Sequence, residues 1–217
     1  MNLTLGQAYI SAQNRLTIEH VLSLVDNEFP SDFWAIPAPC YMGVDQGKDL
    51  HIVFKKRLKD RIAVLPALEF DFNALDKYMA QVSVCVIDGL PETRNARAFA
   101  DRNLGKVYLN YYNEHQKGSY RWDDAEYTVQ ENRTESMDSS HEQISNGTII
   151  LPPYCSDLVK EYAEHCHNTA KKLHEDDETG SRRYIWVKLG ADHYRHADNY
   201  ATIAMSGANN MPTGSYY

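Results

Sequence analysis

With 217 residues, 43% hydrophobic and 24% charged, the chain has room for one large domain or two small ones of ordinary globular composition. A net charge of −8 excludes a protein that grips nucleic acid through bulk positive charge, but not an enzyme that acts on it. No run approaches the ~18–20 apolar residues of a membrane span and no signal-peptide pattern opens the chain, while Cys40, Cys85, Cys155 and Cys166 form no C-x-x-C pair and read as buried thiols in a reducing compartment.

Residues 1–16 read as a polar lead-in. Thr17 is an N-cap candidate ahead of helical spacing over Ile18–Val25. Pro30 and Pro37-Ala38-Pro39 suggest a rigid linker into the first strand. Strands are expected near 40–46 and 50–57, joined as a hairpin through a glycine turn at Gly47. Lys55-Lys56-Arg57-Leu58-Lys59-Asp60-Arg61 is the one dense basic run; it reads as a solvated loop, with a DNA-backbone contact as the alternative. A third strand follows over Arg61–Phe70, and the spacing of Phe72, Leu75, Tyr78 and Met79 predicts a helix over 72–81. Val82 to Gly89 is a continuous apolar run ending in Asp88, as in strands buried on both faces.

Pro91-Glu92 opens a helix to about Arg102, and Lys106–Tyr111 forms another strand. Tyr120–Gln130 alternates as a strand or hairpin, 132–145 is expected to be helical, and Thr148–Leu151 is a short strand closed by Pro152-Pro153. A long amphipathic helix is predicted from Ser156 to about Glu175, then a charged loop over 176–181. Arg183–Lys188 is the last strand, Ala191–Met205 the last helix, and 206–217 a frayed tail. An antiparallel meander continued by crossover helices gives an α/β class with a mixed sheet. The domain reading is a lead-in and linker helix over 1–38, one domain over 39–205, and the tail.

Asp45 is unusual, because Asp is depleted in strands and a carboxylate there is costly unless paired or bound to a metal. It either opens the Asp45-Gln46-Gly47 turn or is the first ligand of a metal site. Alternation puts Tyr41, Gly43 and Asp45 on one face, and Met42 and Val44 on the other. Asp88 ends a second apolar strand in the same way. If the two strands are neighbours, both acids meet at the open edge of the sheet, where α/β sheets bind ligands. Two such carboxylates repel unless a cation lies between them. Oxygen ligation suits Mg²⁺ or Mn²⁺ rather than zinc. Asp192 opens the last helix as a third candidate or a plain cap, and His196 shares its face. Asp198, roughly 240° around at ~100° per residue, is held in reserve.

Met42-Gly43-Val44-Asp45-Gln46-Gly47-Lys48, Val86-Ile87-Asp88-Gly89 and Asp192-His193-Tyr194-Arg195-His196-Ala197 through Tyr200-Ala201 together resemble the C-terminal nuclease domain of the large terminase subunit of tailed bacteriophages, in the ribonuclease H-like superfamily. The resemblance spans about residues 17–205. It implies a ribonuclease H-like mixed sheet flanked by helices, and an Mg²⁺- or Mn²⁺-dependent endonuclease that cuts concatemeric double-stranded viral DNA during packaging. Asp45, Asp88 and Asp192 would hold two metal ions, with His196 or His193 relaying protons or orienting a ligand. Lys55, Lys56, Arg57 and Lys59 would hold the DNA backbone. Further implied are an ATPase domain, a small terminase subunit and a portal as partners, no membrane, and a location in the host cytoplasm.

Many family members carry an acid where His196 stands. No G-x-x-x-x-G-K-[ST] motif occurs, so a nuclease-domain fragment or a stand-alone relative is expected. Competing functions are a resolvase or ribonuclease H-type hydrolase of the same fold, and a non-catalytic portal-docking module. His165-Cys166-His167 suggests zinc, but adjacent helical residues diverge.

Overall fold

The computed structural model describes residues 15–175 and 180–207. Its strands are β1 (Cys40–Gln46), β2 (Leu50–Arg57), β3 (Ile62–Glu69), β4 (Val82–Asp88), β5 (Val107–Tyr112), β6 (Arg121–Asp123), β7 (Thr128–Glu131), β8 (Ile149–Ile150), β9 (Thr169–Glu175) and β10 (Arg182–Lys188). The helices are α1 (Ile18–Leu22), α2 (Thr93–Arg102), α3 (Arg133–Ser145), α4 (Ser156–His167) and α5 (His193–Gly207). Eight strands form one mixed sheet in the order β6-β7-β5-β4-β1-β2-β3-β8. β1, β4, β5 and β7 run parallel, so their C-terminal ends share one edge. β2 returns antiparallel to β1 and fixes the hairpin register, with Asp45 opposite His51.

Alternation along the strands divides the core in two. Tyr41, Val84, Val86, Tyr108 and Val129 pack against α4 and α5. Met42, Val44, Cys85, Ile87 and Leu109 pack on the other face with Leu75 and with Ala96, Phe99 and Ala100 of α2. Tyr194 and Tyr200 of α5 are fully buried. Each removes ~200 Å² from water, about 5 kcal/mol of gross apolar gain before ordering entropy is subtracted. Upstream of β1, Val21, Phe29 and Phe33 are also buried in these cores. Nearly all of residues 1–16 and of the 206–217 tail lies outside the described residues.

Several expectations need correction. Residues 72–78 form a 3-10 turn rather than a helix to 81, capped by the Asp71 carboxylate, which accepts from the Asn73 and Ala74 amides. The helix begun at Ser156 stops at His167 instead of continuing to Glu175. Residues 169–175 instead form β9, paired antiparallel with β10 from Thr169↔Lys188 to Glu175↔Arg182. Pairing with a strand more distant in sequence outweighed a helical pattern that local spacing left ambiguous. This hairpin stands apart from the main sheet.

The basic run is neither a solvated loop nor a DNA contact at its first two lysines. Lys55 and Lys56 lie within β2 and are buried. The Lys55 ammonium meets Asp198 at 3.0 Å, Thr202 at 2.8 Å and Gln143 at 3.0 Å. Lys56 donates to the carbonyls of Trp34 and Ile36. Neither cation faces solvent, so neither can hold a DNA backbone; Arg57 and Lys59 are exposed.

Candidate active site

The site begins with a close approach. A Cβ on Gly43 would overlap the Ala197 carbonyl oxygen and the Ala201 amide nitrogen, so the absent side chain lets α5 lie directly on β1. The small residues Ala197 and Ala201 on α5 complete that contact. The first turn of α5 is thereby held above the C-terminal end of β1, where Asp45 sits.

β1 and β4 are adjacent, which sets Asp45 and Asp88 at neighbouring strand ends. The parallel register runs through Val44↔Ile87, one residue before each acid. Asp45 is buried, and its Oδ2 lies 2.8 Å from His193 Nδ1. This bond raises the His193 pKa, against an opposing effect of burial. Asp88 is half-buried and accepts from the Leu90 amide at 3.0 Å. Burial pushes its pKa up to about 6; Asp45 adds to the rise, while the Leu90 bond and His196 oppose it.

Asp192 stands just ahead of α5 and is almost fully buried, at 3% exposure. Its carboxylate meets Lys188 at 2.7 Å and His196 Nε2 at 3.4 Å. Burial opposes ionisation, but the bonds from His196 and Lys188 outweigh it and hold the pKa well below the usual range. His196 also faces the Tyr112 hydroxyl at 3.3 Å and Arg133 Nη2 at 3.4 Å. Asp198 is elsewhere, fully buried with Lys55 and accepting from the Tyr162 hydroxyl at 2.9 Å. It is a core ion pair and does not complete the site.

The three acids do not gather within 4.8 Å of one another; among the described residues, the set of three that does is His51, Glu161 and His165. Strand register and helix packing bring these three together, and the i, i+4 spacing of Glu161 and His165 is their only local signal. His51 stacks on His193 with centroids 4.7 Å apart and planes 18° apart. His165 Nδ1 accepts the Tyr194 amide at 3.1 Å, which places the ring proton of the neutral form on Nε2, the atom facing Glu161. A metal ligand needs that lone pair free, with the other nitrogen donating. Burial, and then His51 and His193, hold the His165 pKa down to about 4, so the ring is neutral. This cluster therefore braces His193 against Asp45 and is poorly made for zinc. His167, pointing to the Leu16 carbonyl, and Cys166, in the core, diverge from His165.

The donor set of Asp45, Asp88 and Asp192 is all carboxylate, the chemistry of a hard divalent cation. A cation between Asp45 and Asp88 would relieve the repulsion that helps raise the Asp88 pKa.

No protein-family model matches the sequence, and no curated protein matches it. Solved structures do. The large terminase nuclease from thermophilic phage G20c aligns at a TM-score of 0.53 and 11% identity, over 86% of this chain and 97% of that one. The large terminase from a second thermophilic bacteriophage aligns at 0.49 and 11%, over 86% of this chain and 45% of that one. The human cytomegalovirus terminase nuclease domain aligns at 0.44 and 12%, over 87% and 88%. The G20c likeness spans nearly the whole of both chains. The chain has the ribonuclease H-like fold of a large-terminase nuclease domain.

Proposed function

We propose that the chain is a metal-dependent endonuclease that cleaves double-stranded viral DNA during genome packaging, with Asp45, Asp88 and Asp192 as its metal-binding acids. The observation that carries this reading is the pairing of Asp45 and Asp88 at the ends of adjacent parallel strands, beneath the first turn of α5, in a terminase-nuclease fold. Bound Mg²⁺ or Mn²⁺, two ions in the full site, would supply Lewis-acid stabilisation of the phosphoryl oxygens and a water of lowered pKa.

The chain's own residues do the remaining work. Asp45, on β1 beside β4 and beneath the first turn of α5, would be one of the residues that hold the ions. His193 fixes the orientation of its carboxylate through the 2.8 Å bond and can carry a proton at Nδ1. His196, 3.4 Å from Asp192, can hold a proton at Nε2. Hydrolysis would form a bond from water oxygen to phosphorus and break the bond to the 3′ oxygen, which takes up a proton. In a longer protein or assembly, an ATPase domain, a small terminase subunit and a portal would deliver the duplex.

Incubation of supercoiled plasmid with the chain and Mn²⁺ tests this reading. Nicking by the parent that is lost in Asp45→Asn and Asp88→Asn supports it. Failure of the folded parent to cut in Mg²⁺ or Mn²⁺ overturns it in favour of a docking module.

A further inference from the structure

Arg133 is the first residue of α3, where a cation opposes the positive end of the helix dipole. Asn132 already caps that end, accepting from the Thr134 and Glu135 amides. Among the described residues Arg133 has no carboxylate partner, and its Nε is buried without a hydrogen-bond partner. Its guanidinium lies over the Tyr112 ring, 5.6 Å from the centroid. Its Nη2 stands 3.4 Å from His196 Nε2, the atom that also faces Asp192 at 3.4 Å. His196 Nε2 cannot serve both neighbours: if it donates a proton to Asp192 it has no lone pair to offer, and the guanidinium is left without an acceptor. The other basic groups at the acids, Lys188 and His193, each hold a carboxylate. Helix stability does not explain an arginine here, and neither does ion pairing.

We infer that Arg133 is a phosphate-binding residue of the site, which seats a DNA phosphodiester beside the acids by donating from its planar guanidinium. The inference rests on the nuclease reading and adds the anchor that places the substrate. The face of Tyr112 holds the guanidinium in one plane, and guanidinium geometry matches two phosphate oxygens where an ammonium gives a point charge. In a chain of net charge −8, a fixed cation beside the acids offsets the repulsion of a polyanion.

The test compares the parent, Arg133→Ala and Arg133→Lys, each checked for a native melting curve. Two readouts are used: Mn²⁺-dependent cleavage of a fluorescent 40-bp duplex, and fluorescence anisotropy of that duplex in EDTA across a salt series. Arg133→Ala is expected to lower kcat/KM about 100-fold, and to reduce the slope of log affinity against log salt by about one. Arg133→Lys recovers the salt slope and only part of kcat/KM. Unchanged kcat/KM and salt slope in the alanine variant overturn the inference while leaving the nuclease reading intact. A parent that binds the duplex without cutting it overturns the nuclease reading, and the anisotropy series then decides the role of Arg133. Should the alanine variant not fold, the lysine variant decides: kcat/KM within twofold of the parent overturns bidentate phosphate seating.

Discussion

Replacing Glu131 with glutamine is expected to stabilise the folded chain at neutral pH and leave it unchanged near pH 4. Glu131 ends β7 and is 1% exposed. Burial pushes its pKa from 4.5 up to about 8; the Asn110 amide partly offsets this and Asp88 adds to it. The sign follows from proton counting. Between pH 4.5 and 8 the folded chain keeps a proton that the unfolded chain has released, so this group lowers stability as pH rises through that window. Each pH unit in the window removes about 1.4 kcal/mol, so the loss is about 3 kcal/mol by pH 7 and levels off above pH 8. Glutamine keeps the shape without the charge. Urea unfolding of parent and Glu131→Gln, followed by circular dichroism in EDTA at pH 4, 7 and 9, reads the difference. Stability curves that stay parallel from pH 5 to 9 would refute the reasoning, as would a less stable glutamine variant at pH 7.

Binding of Mn²⁺ to the metal-free chain is expected to tighten as pH passes about 6, because burial, and then Asp45, keep Asp88 protonated below that point and the metal must displace that proton; an affinity unchanged between pH 5 and 7 would contradict this. Lys55→Met leaves Asp198 buried without its main cation and should cost about 3–5 kcal/mol in chemical unfolding, whereas Lys59→Ala, at an exposed site, should stay within ~0.5 kcal/mol. Gly43→Ala forces α5 away from β1 and should cost about 1–3 kcal/mol, with the melting temperature as readout.

Asp45 and Asp88 were legible in the sequence because strand periodicity is local: an acid after alternating or continuous apolar residues marks a strand end without knowledge of its neighbours. The central hairpin was legible for the same reason. What depended on distant partners was hidden. Lys55 and Lys56 read as a charged loop because Asp198, Thr202 and the Trp34 and Ile36 carbonyls reach them only through packing. Residues 169–175 read as helix because the strand that captures them arrives from 182–188. Asp192 and His196 were visible as an i, i+4 pair. His51 was not, because only strand register sets it opposite Asp45 and beneath His193. Arg133 carried no local signal; that it lacks a carboxylate partner among the described residues emerges only when α3 docks beside α5.

The most direct measurement is calorimetric titration of the metal-free chain with Mn²⁺, set beside Asp45→Asn and Asp88→Asn variants that melt like the parent. Saturable binding to the parent, lost or weakened at least tenfold in both variants, is the expected result. Parent and variants that bind Mn²⁺ equally, or a parent that binds none, would contradict a metal centre built on these two acids.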